Sequence, residues 1–365
     1  MLHLAMLERP ASCLVVLTVD HGLRDASRAE AEHVAQLCAV RGIEHHILTW
    51  TGDKPSTGIQ AKARAARYDL MTIWCASHGV ATLLTAHTMD DQAETVVMRS
   101  RRTQSLKSLA GIWPESRWNG IRIIRPLLKE RRTGLREMLR AAGVTWSDDP
   151  SNDNPKFERV RIRADMADND VARLAAVADE ARQEAERRGA VAAQWLRSHA
   201  VVEAIGMVRL SRPGLGSSLL EREEMDEVLG RTIHMAGGGL PEPDAITSLL
   251  ARILAGNAFR STLGGAMVAV RQAEILIGRE PVRIDATPAL VGDEPQLWDG
   301  RFQLTAPPGS RILPAGPRCP KPERALPAFV LAGLPAVILP SGETVLPHFQ
   351  PSAGISVSLG ERFHL

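Results

Sequence analysis

Strand-like and helix-like runs alternate through the first 150 residues, and that alternation restricts the chain to few folds. Residues 14–19, 45–50 and 81–86 read as buried strands, whereas 27–41, 58–77 and 90–101 carry helical patterns. Such alternation predicts an α/β fold with a parallel sheet covered on both faces. Ser27 ahead of Arg28-Ala29-Glu30 reads as a capping-box start for the helix over 27–41. Arg125-Pro126-Leu127-Leu128 reads as a stop, followed by a helix over 133–142 that Gly143 closes.

The densest chemistry sits where the third strand meets its helix. His87-Thr88-Met89-Asp90-Asp91-Gln92-Ala93-Glu94-Thr95 follows the apolar run 80–86. In open α/β sheets, ligands collect at the carboxyl ends of strands. On a helix, Asp91 and Glu94 lie three apart and Asp90 and Glu94 four apart, so one face presents clustered acids. That face suits an ammonium group, a metal ion or a proton in transit. An ordinary acidic first turn, favoured by the helix dipole, reads the same way.

Three further segments bear on the choice. Asp20-His21-Gly22-Leu23-Arg24 ends the first strand, and Arg64 and Arg67 flank Ala65-Ala66 at helical spacing ahead of Tyr68. Downstream come Trp146-Ser147-Asp148-Asp149-Pro150-Ser151-Asn152 and Phe157-Glu158-Arg159-Val160-Arg161-Ile162-Arg163. This set, in this order, resembles the bacterial tRNA(Ile)-lysidine synthetases of the PP-loop ATP-pyrophosphatase superfamily. Weaker matches continue through Ser261-Thr262-Leu263-Gly264-Gly265, Trp298-Asp299-Gly300-Arg301-Phe302 and Leu346-Pro347-His348.

The resemblance implies ATP-dependent ligation of L-lysine to the wobble cytidine of isoleucine tRNA. ATP adenylates the cytosine at its position 2 oxygen, and the lysine ε-amine then displaces AMP. Carried over residue by residue, Asp91, Glu94 and His87 are the catalytic candidates. Arg64, Arg67 and Asp90 are expected to bind lysine or phosphate, with Asp20 and His21 on the nucleotide side. Asn152, Arg159, Arg161, Arg163 and Arg125 are expected on the tRNA side. ATP and Mg2+ are the implied cofactors; the sequence names no metal ligands. Alternate arginines share one face of an extended segment but not of a helix; a charged hinge is the other reading of 159–163.

The family's Ser-Gly-Gly-x-Asp-Ser loop, which grips pyrophosphate, has no match here, and the chain opens on what resembles the helix after it. The fold is therefore expected to lack its first strand. Either translation begins further upstream, or this is a tRNA-binding relative that has lost catalysis; another PP-loop tRNA-modifying enzyme is the third reading. Gly214-Leu215-Gly216-Ser217-Ser218 and Gly237-Gly238-Gly239 follow no convincing strand and read as turns. The family's Arg-Gly-Ser/Thr-Gly turn is also replaced, by Arg101-Arg102-Thr103-Gln104-Ser105, where a positive φ would be costly.

With 365 residues, the chain exceeds what one hydrophobic core normally serves. The expected domains are a PP-loop-type unit over 1–165, a helical, tRNA-positioning region with a terminal hairpin over 166–285, and a small β-rich region over 286–365. Between Val97 and Arg140, twelve Lys/Arg stand against three acids, the charge excess of a phosphate-backbone footprint. Trp113 and Trp118 lie within that window and read mainly as core anchors. The four cysteines have no paired spacing, which argues against a zinc ribbon, a cluster or thiolation chemistry. No apolar run nears the ~20 residues a membrane span needs, so the cytoplasm is the expected compartment.

Overall fold

Two compact units divide the chain, Met1–Ala185 and Glu186–Leu365. The computed structural model describes every residue except 23–25, 53, 55–56, 104, 147–157, 293, 317–325, 351 and 364–365.

The first unit opens with α1 (Leu2–Glu8), β1 (Val15–Asp20), α2 (Ala26–Val40), β2 (Glu44–Thr49) and α3 (Ile59–Ser77). Then come β3 (Thr82–Leu84), α4 (Met89–Ser100), α5 (Leu106–Leu109), β4 (Glu115–Trp118), β5 (Ile121–Ile124), α6 (Arg132–Ala141) and α7 (Glu158–Asp165). β1 and β2 pair in parallel, from Val15 opposite Glu44 to Asp20 opposite Thr49. β3 pairs in parallel with β5, which also takes β4 on its other edge in antiparallel register. The two ladders share no hydrogen bonds with each other. Instead α3 lies across both: Tyr68, Met71 and Cys75 pack against Leu17 and Val19 of one, and Leu83, Ile121 and Ile123 of the other.

Three local expectations need correcting. The β4–β5 hairpin fills a stretch in which no strand was anticipated. Asn119 and Gly120 form its turn with φ of 47° and 80°, the left-handed pair that a two-residue hairpin requires. Asn119 Nδ2 also donates to Asp69 and Thr72 of α3, fixing the hairpin to the helix. Ser27 is no N-cap, because it lies inside α2 and its hydroxyl donates to Asp20 Oδ1 at 2.6 Å. Residues 159–163 are helical, so the three arginines do not share a face: Arg159 and Arg163 do, and Arg161 points elsewhere.

α8 (Asp168–His199) continues from the first unit into the second. There follow β6 (Ala200–Glu203), β7 (Met207–Ser211), α9 (Arg212–Gly216), α10 (Arg222–Gly237), α11 (Pro243–Leu254), β8 (Phe259–Leu263), β9 (Ala266–Val270) and β10 (Glu274–Arg279). The hairpin expected at 266–278 is the heart of a five-stranded antiparallel sheet, β6-β7-β10-β9-β8. Val268, Val270, Ile275 and Ile277 meet Leu229 and Ile233 of α10 and Leu250 and Ile253 of α11. Ala269 and Leu276 on the opposite face meet Phe329 and Val330. Burial on both faces explains why β9 and β10 read as continuous apolar runs.

The remaining elements are β11 (Ala289–Leu290), β12 (Gln296–Trp298), β13 (Phe302–Thr305), β14 (Arg311–Pro314), α12 (Ala328–Ala332), β15 (Pro335–Ile338), β16 (Thr344–Val345) and β17 (Ser356–Leu359). They form two small antiparallel sheets, β11-β14-β15-β16 and β12-β13-β17. At the β12–β13 turn, Asp299 (φ 49°) accepts from Arg301 Nε at 2.6 Å and from both Nε and Nη2 of Arg279, at 3.1 and 3.0 Å. Arg301 is 2% exposed, so Trp298-Asp299-Gly300-Arg301 encodes a buried ion pair.

Candidate active site

The acids cluster where β3 hands over to α4. Thr88 is the N-cap, and with Asp91 it closes a full capping box: Asp91 Oδ2 accepts from Thr88 N and Oγ1, both at 2.8 Å. The ordinary first-turn role therefore holds for this carboxylate, which also faces Arg132 at 3.3 Å. Asp90 Oδ2 accepts from the backbone N–H of Arg132 at 2.7 Å, and its other oxygen lies 3.6 Å from Arg131. Glu94 is 1% exposed, with Oε1 at 2.8 Å from Arg163 and 3.7 Å from Arg132. Its Oε2 is buried and has no hydrogen-bond partner. A buried acceptor left empty is costly, and only a donor arriving from outside the described structure satisfies it.

His87 stands at the end of β3, with Nδ1 3.0 Å from Thr85 Oγ1. Burial pushes its pKa down to about 4; Asp91 opposes that, while Arg64, Arg125 and Arg159 reinforce it. At neutral pH the ring is uncharged, able to accept a hydrogen bond but poor as a proton sink. Arg64 lies over the Tyr68 ring, its carbon 5.1 Å from the centroid. Arg159 Nη2 donates to Thr95 Oγ1 at 3.3 Å, and Arg99 Nη1 to Gly111 O at 2.6 Å. Burial first, then Arg64 and Arg159, lowers the pKa of Arg99, so these guanidiniums lie within each other's field. None of the three has a carboxylate partner among the described residues, an arrangement that favours an anion.

Arg67 Nε and Nη2 approach His21 Nε2 at 3.2 and 3.0 Å. Burial and Arg67 together lower the His21 pKa, leaving an acceptor for the arginine. Asp69 accepts from Trp118 and Asn119, so Arg64 and Arg67 are not spent on ion pairs with it. Asp20 Oδ1 accepts from Gly22 N at 2.9 Å as well as from Ser27, and these bonds hold its carboxyl below the usual range. Its side chain shapes the strand end and offers little to a ligand.

The structure thus gathers His87, Asp90, Asp91, Glu94, Arg159 and Arg163, with Arg64 nearby. Arg125 is placed differently: it is 7% exposed, and its Nη1 donates to Trp113 O and Ser116 Oγ, which removes it from any nucleic-acid surface. Arg161 is exposed, and Asn152 lies outside the described residues. The basic window is partly internal too, since Arg99, Arg125 and Arg132 turn inward to bonds described above, whereas Arg131 reaches the exposed Asp168 at 2.5 Å. Sequence reasoning missed Arg132, which bridges two acids from 38 or more residues away. It also missed Gln92, 2% exposed, whose amide clamps Ile112 N at 2.6 Å and Ile112 O at 3.2 Å. A buried glutamine inside a charged motif was the available signal for the second. Nothing local marks Arg132.

Residues 1–169 match the PP-loop domain family ATP_bind_3. A tRNA(Ile)-lysidine synthase of Mesorhizobium japonicum is 38% identical over 80% of this chain and 65% of its own length. One from Ruegeria pomeroyi is 35% identical over 80% of this chain and 70% of its own length. A third, from Rhizobium meliloti, is 34% identical over 97% of this chain and 79% of its own. The chain belongs to the tRNA(Ile)-lysidine synthase family. It is an α/β protein with a PP-loop domain, a helical region and small antiparallel sheets toward its C-terminus, and it spans about two thirds of the length of the first of these relatives.

The two glycine-rich runs are structural. Gly214 and Gly216 lie in or at the end of the short α9. Gly237 closes α10 so tightly against Gly264 that an added Cβ would sit 2.3 Å from its carbonyl oxygen. Among the described residues, no group of three His, Cys, Asp or Glu side chains is placed to hold a metal ion. The acids of α4 each face a guanidinium instead, so they do not fit Mg2+ as they stand. Only Asn119 and Asp299 have positive φ among described non-glycine residues, so Thr103 carries no such strain; Gln104 lies outside them. No described helix is long and apolar enough to cross a membrane.

Proposed function

We propose that this chain carries the lysine- and tRNA-facing chemistry of an ATP-dependent ligase that joins L-lysine to the wobble cytidine of isoleucine tRNA in the cytoplasm. The observation that carries the reading is Glu94, a buried carboxylate in the second turn of α4 with one oxygen awaiting a donor. The family of the relatives supports the reaction, and the site supports its parts. Glu94 takes the lysine amine, while Asp91 holds Thr88 and Arg132 in place around it. Asp90 anchors the start of α6 through the Arg132 backbone. Uncharged His87 accepts a hydrogen bond from substrate. Arg64 and Arg159, with Arg99, face the phosphate of the adenylated nucleotide; Arg67 and His21 lie on the same side. ATP supplies the adenylate that makes the cytosine carbon electrophilic. No step is assigned to Mg2+, for which the acids here provide no seat.

On this reading the first unit, Met1–Ala185, carries the chemistry and the second, Glu186–Leu365, positions tRNA. Arg161, exposed on α7, is the tRNA contact retained from that stretch. The test is incorporation of labelled lysine into isoleucine tRNA by the full chain. Glu94→Gln keeps the shape, removes the charge and is expected to reduce incorporation by at least ~100-fold. Normal incorporation by this variant would refute the assignment of Glu94.

A further inference from the structure

We propose that Glu94, with Arg163 and Arg132 already seated on it, receives the lysine side chain as an uncharged primary amine, and that Arg163 is the positioning residue that sets this protonation state. The inference rests on the lysine reading above.

The geometry supplies the reason. Glu94 Oε1 is held by Arg163 at 2.8 Å, with Arg132 at 3.7 Å, so the carboxylate meets two guanidiniums before any substrate arrives. Its Oε2 remains buried and unpartnered. That atom needs an N–H donor, but the charge behind it is already balanced. An ammonium would satisfy the bond while adding a third cation; an amine satisfies it and adds none.

The surrounding charges point the same way. On α4, Asp91 is held by Thr88 and Arg132, and Asp90 by the Arg132 backbone and, at 3.6 Å, by Arg131, whose nearer partner is Asp168 of α8 at 2.5 Å. α7 adds Arg159 on Thr95, beside the site. Its Glu158 pairs with Arg102, while Arg161 and Asp165 are exposed. From α5, Lys107 is exposed. His87, ahead of α4, is uncharged at neutral pH. Burial opposes the charge of Arg163, yet Glu94, Asp91 and Asp90 together hold its pKa above the ordinary value, so it stays a cation.

The chemistry requires this form. An ammonium nitrogen has no lone pair to attack carbon. On entry, R–NH3+ gives one proton to solvent and becomes R–NH2, which donates one N–H to Glu94 Oε2. Its lone pair is then free to form the C–N bond, while the C–O bond to AMP breaks; AMP leaves with that electron pair, and the nitrogen gives its surplus proton to the departing phosphate.

The test is 13C NMR of L-lysine labelled at Cε, bound to the full chain and titrated from pH 6 to 11. The Cε shift reads ε-amine ionisation directly and needs no catalysis. The wild-type midpoint is expected at least ~2 units below the free-lysine value of about 10.4. Arg163→Gln is expected to raise it by ~1 unit or more, and Arg163→Lys to leave it near wild type. A wild-type midpoint at or above the free value overturns the proposal, whether or not Arg163→Gln folds. An unchanged midpoint in a folded Arg163→Gln overturns the role of Arg163. Absence of any bound resonance sinks the lysine reading itself, which separates the two failures.

Discussion

Replacing Gln92 with leucine should weaken the first unit more than any change at the exposed acids and arginines around it. The glutamine is 2% exposed, and it reaches from α4 to a loop about twenty residues on. Its Oε1 accepts from Ile112 N at 2.6 Å, and its Nε2 donates to Ile112 O at 3.2 Å and more distantly to Ala110 O at 3.4 Å. Gly111 is required between them, because a Cβ there would lie 2.6 Å from Oε1, and its φ is +61°. Leucine fills much of the same volume but leaves the Ile112 N–H and C=O facing apolar atoms. A buried orphan donor or acceptor costs about 1–3 kcal/mol. The longer Ala110 contact adds little, so the total should fall at ~2–4 kcal/mol. Urea unfolding followed by far-UV circular dichroism measures it, and hydrogen exchange at the Ile112 amide locates it. A loss below ~0.5 kcal/mol with unchanged Ile112 protection would refute the reasoning.

Two further outcomes follow from buried charge. Asp299→Ala leaves Arg301 and Arg279 without their shared carboxylate, and breaking such a pair should cost ~3–5 kcal/mol, measurable as an earlier unfolding transition of the second unit. Burial pushes both His87 and His348 down to about 4. An unfolded imidazole takes its proton near 6.5, so the folded state binds fewer protons between those values. The stability these rings contribute is complete above pH ~6.5 and is lost as pH falls toward about 4, by up to ~3 kcal/mol each. Denaturation midpoints at pH 7 and pH 5 check the direction, and His348→Gln should flatten the slope.

Much of the α/β order was legible because period-2 and period-3.6 patterns are local. Leu17 and Val19 of β1, and Tyr68, Met71 and Cys75 of α3, carry their burial in their spacing. The β4–β5 hairpin was equally local, with Asn119-Gly120 the strongest short hairpin signal, but Arg117 and Arg122 in its strands masked it as a basic surface. Arg159, Arg161 and Arg163 alternate in the sequence, but helical spacing joins only Arg159 and Arg163. In the second unit, β6 to β8 are short and half exposed, so only the doubly buried β9–β10 pair stood out. At the site, the acids of α4 were legible, yet their state was not. Arg131, Arg132 and Arg163 neutralise them through tertiary contacts that no window of sequence contains.

The separation of β1–β2 from β3–β5 also carries a consequence for the backbone itself. Successive N–H groups of a strand point to opposite sides, so along β1 every second amide faces β2 and the rest face an edge with no ladder among the described residues. The same holds for β3 beside β5. Yet α3 covers both ladders with one apolar surface, so the side chains there are cared for while half of the peptide groups are not. Hydrogen exchange should therefore keep two rhythms within a single strand. A further extended segment that reached this edge would gain a row of bonds without displacing any.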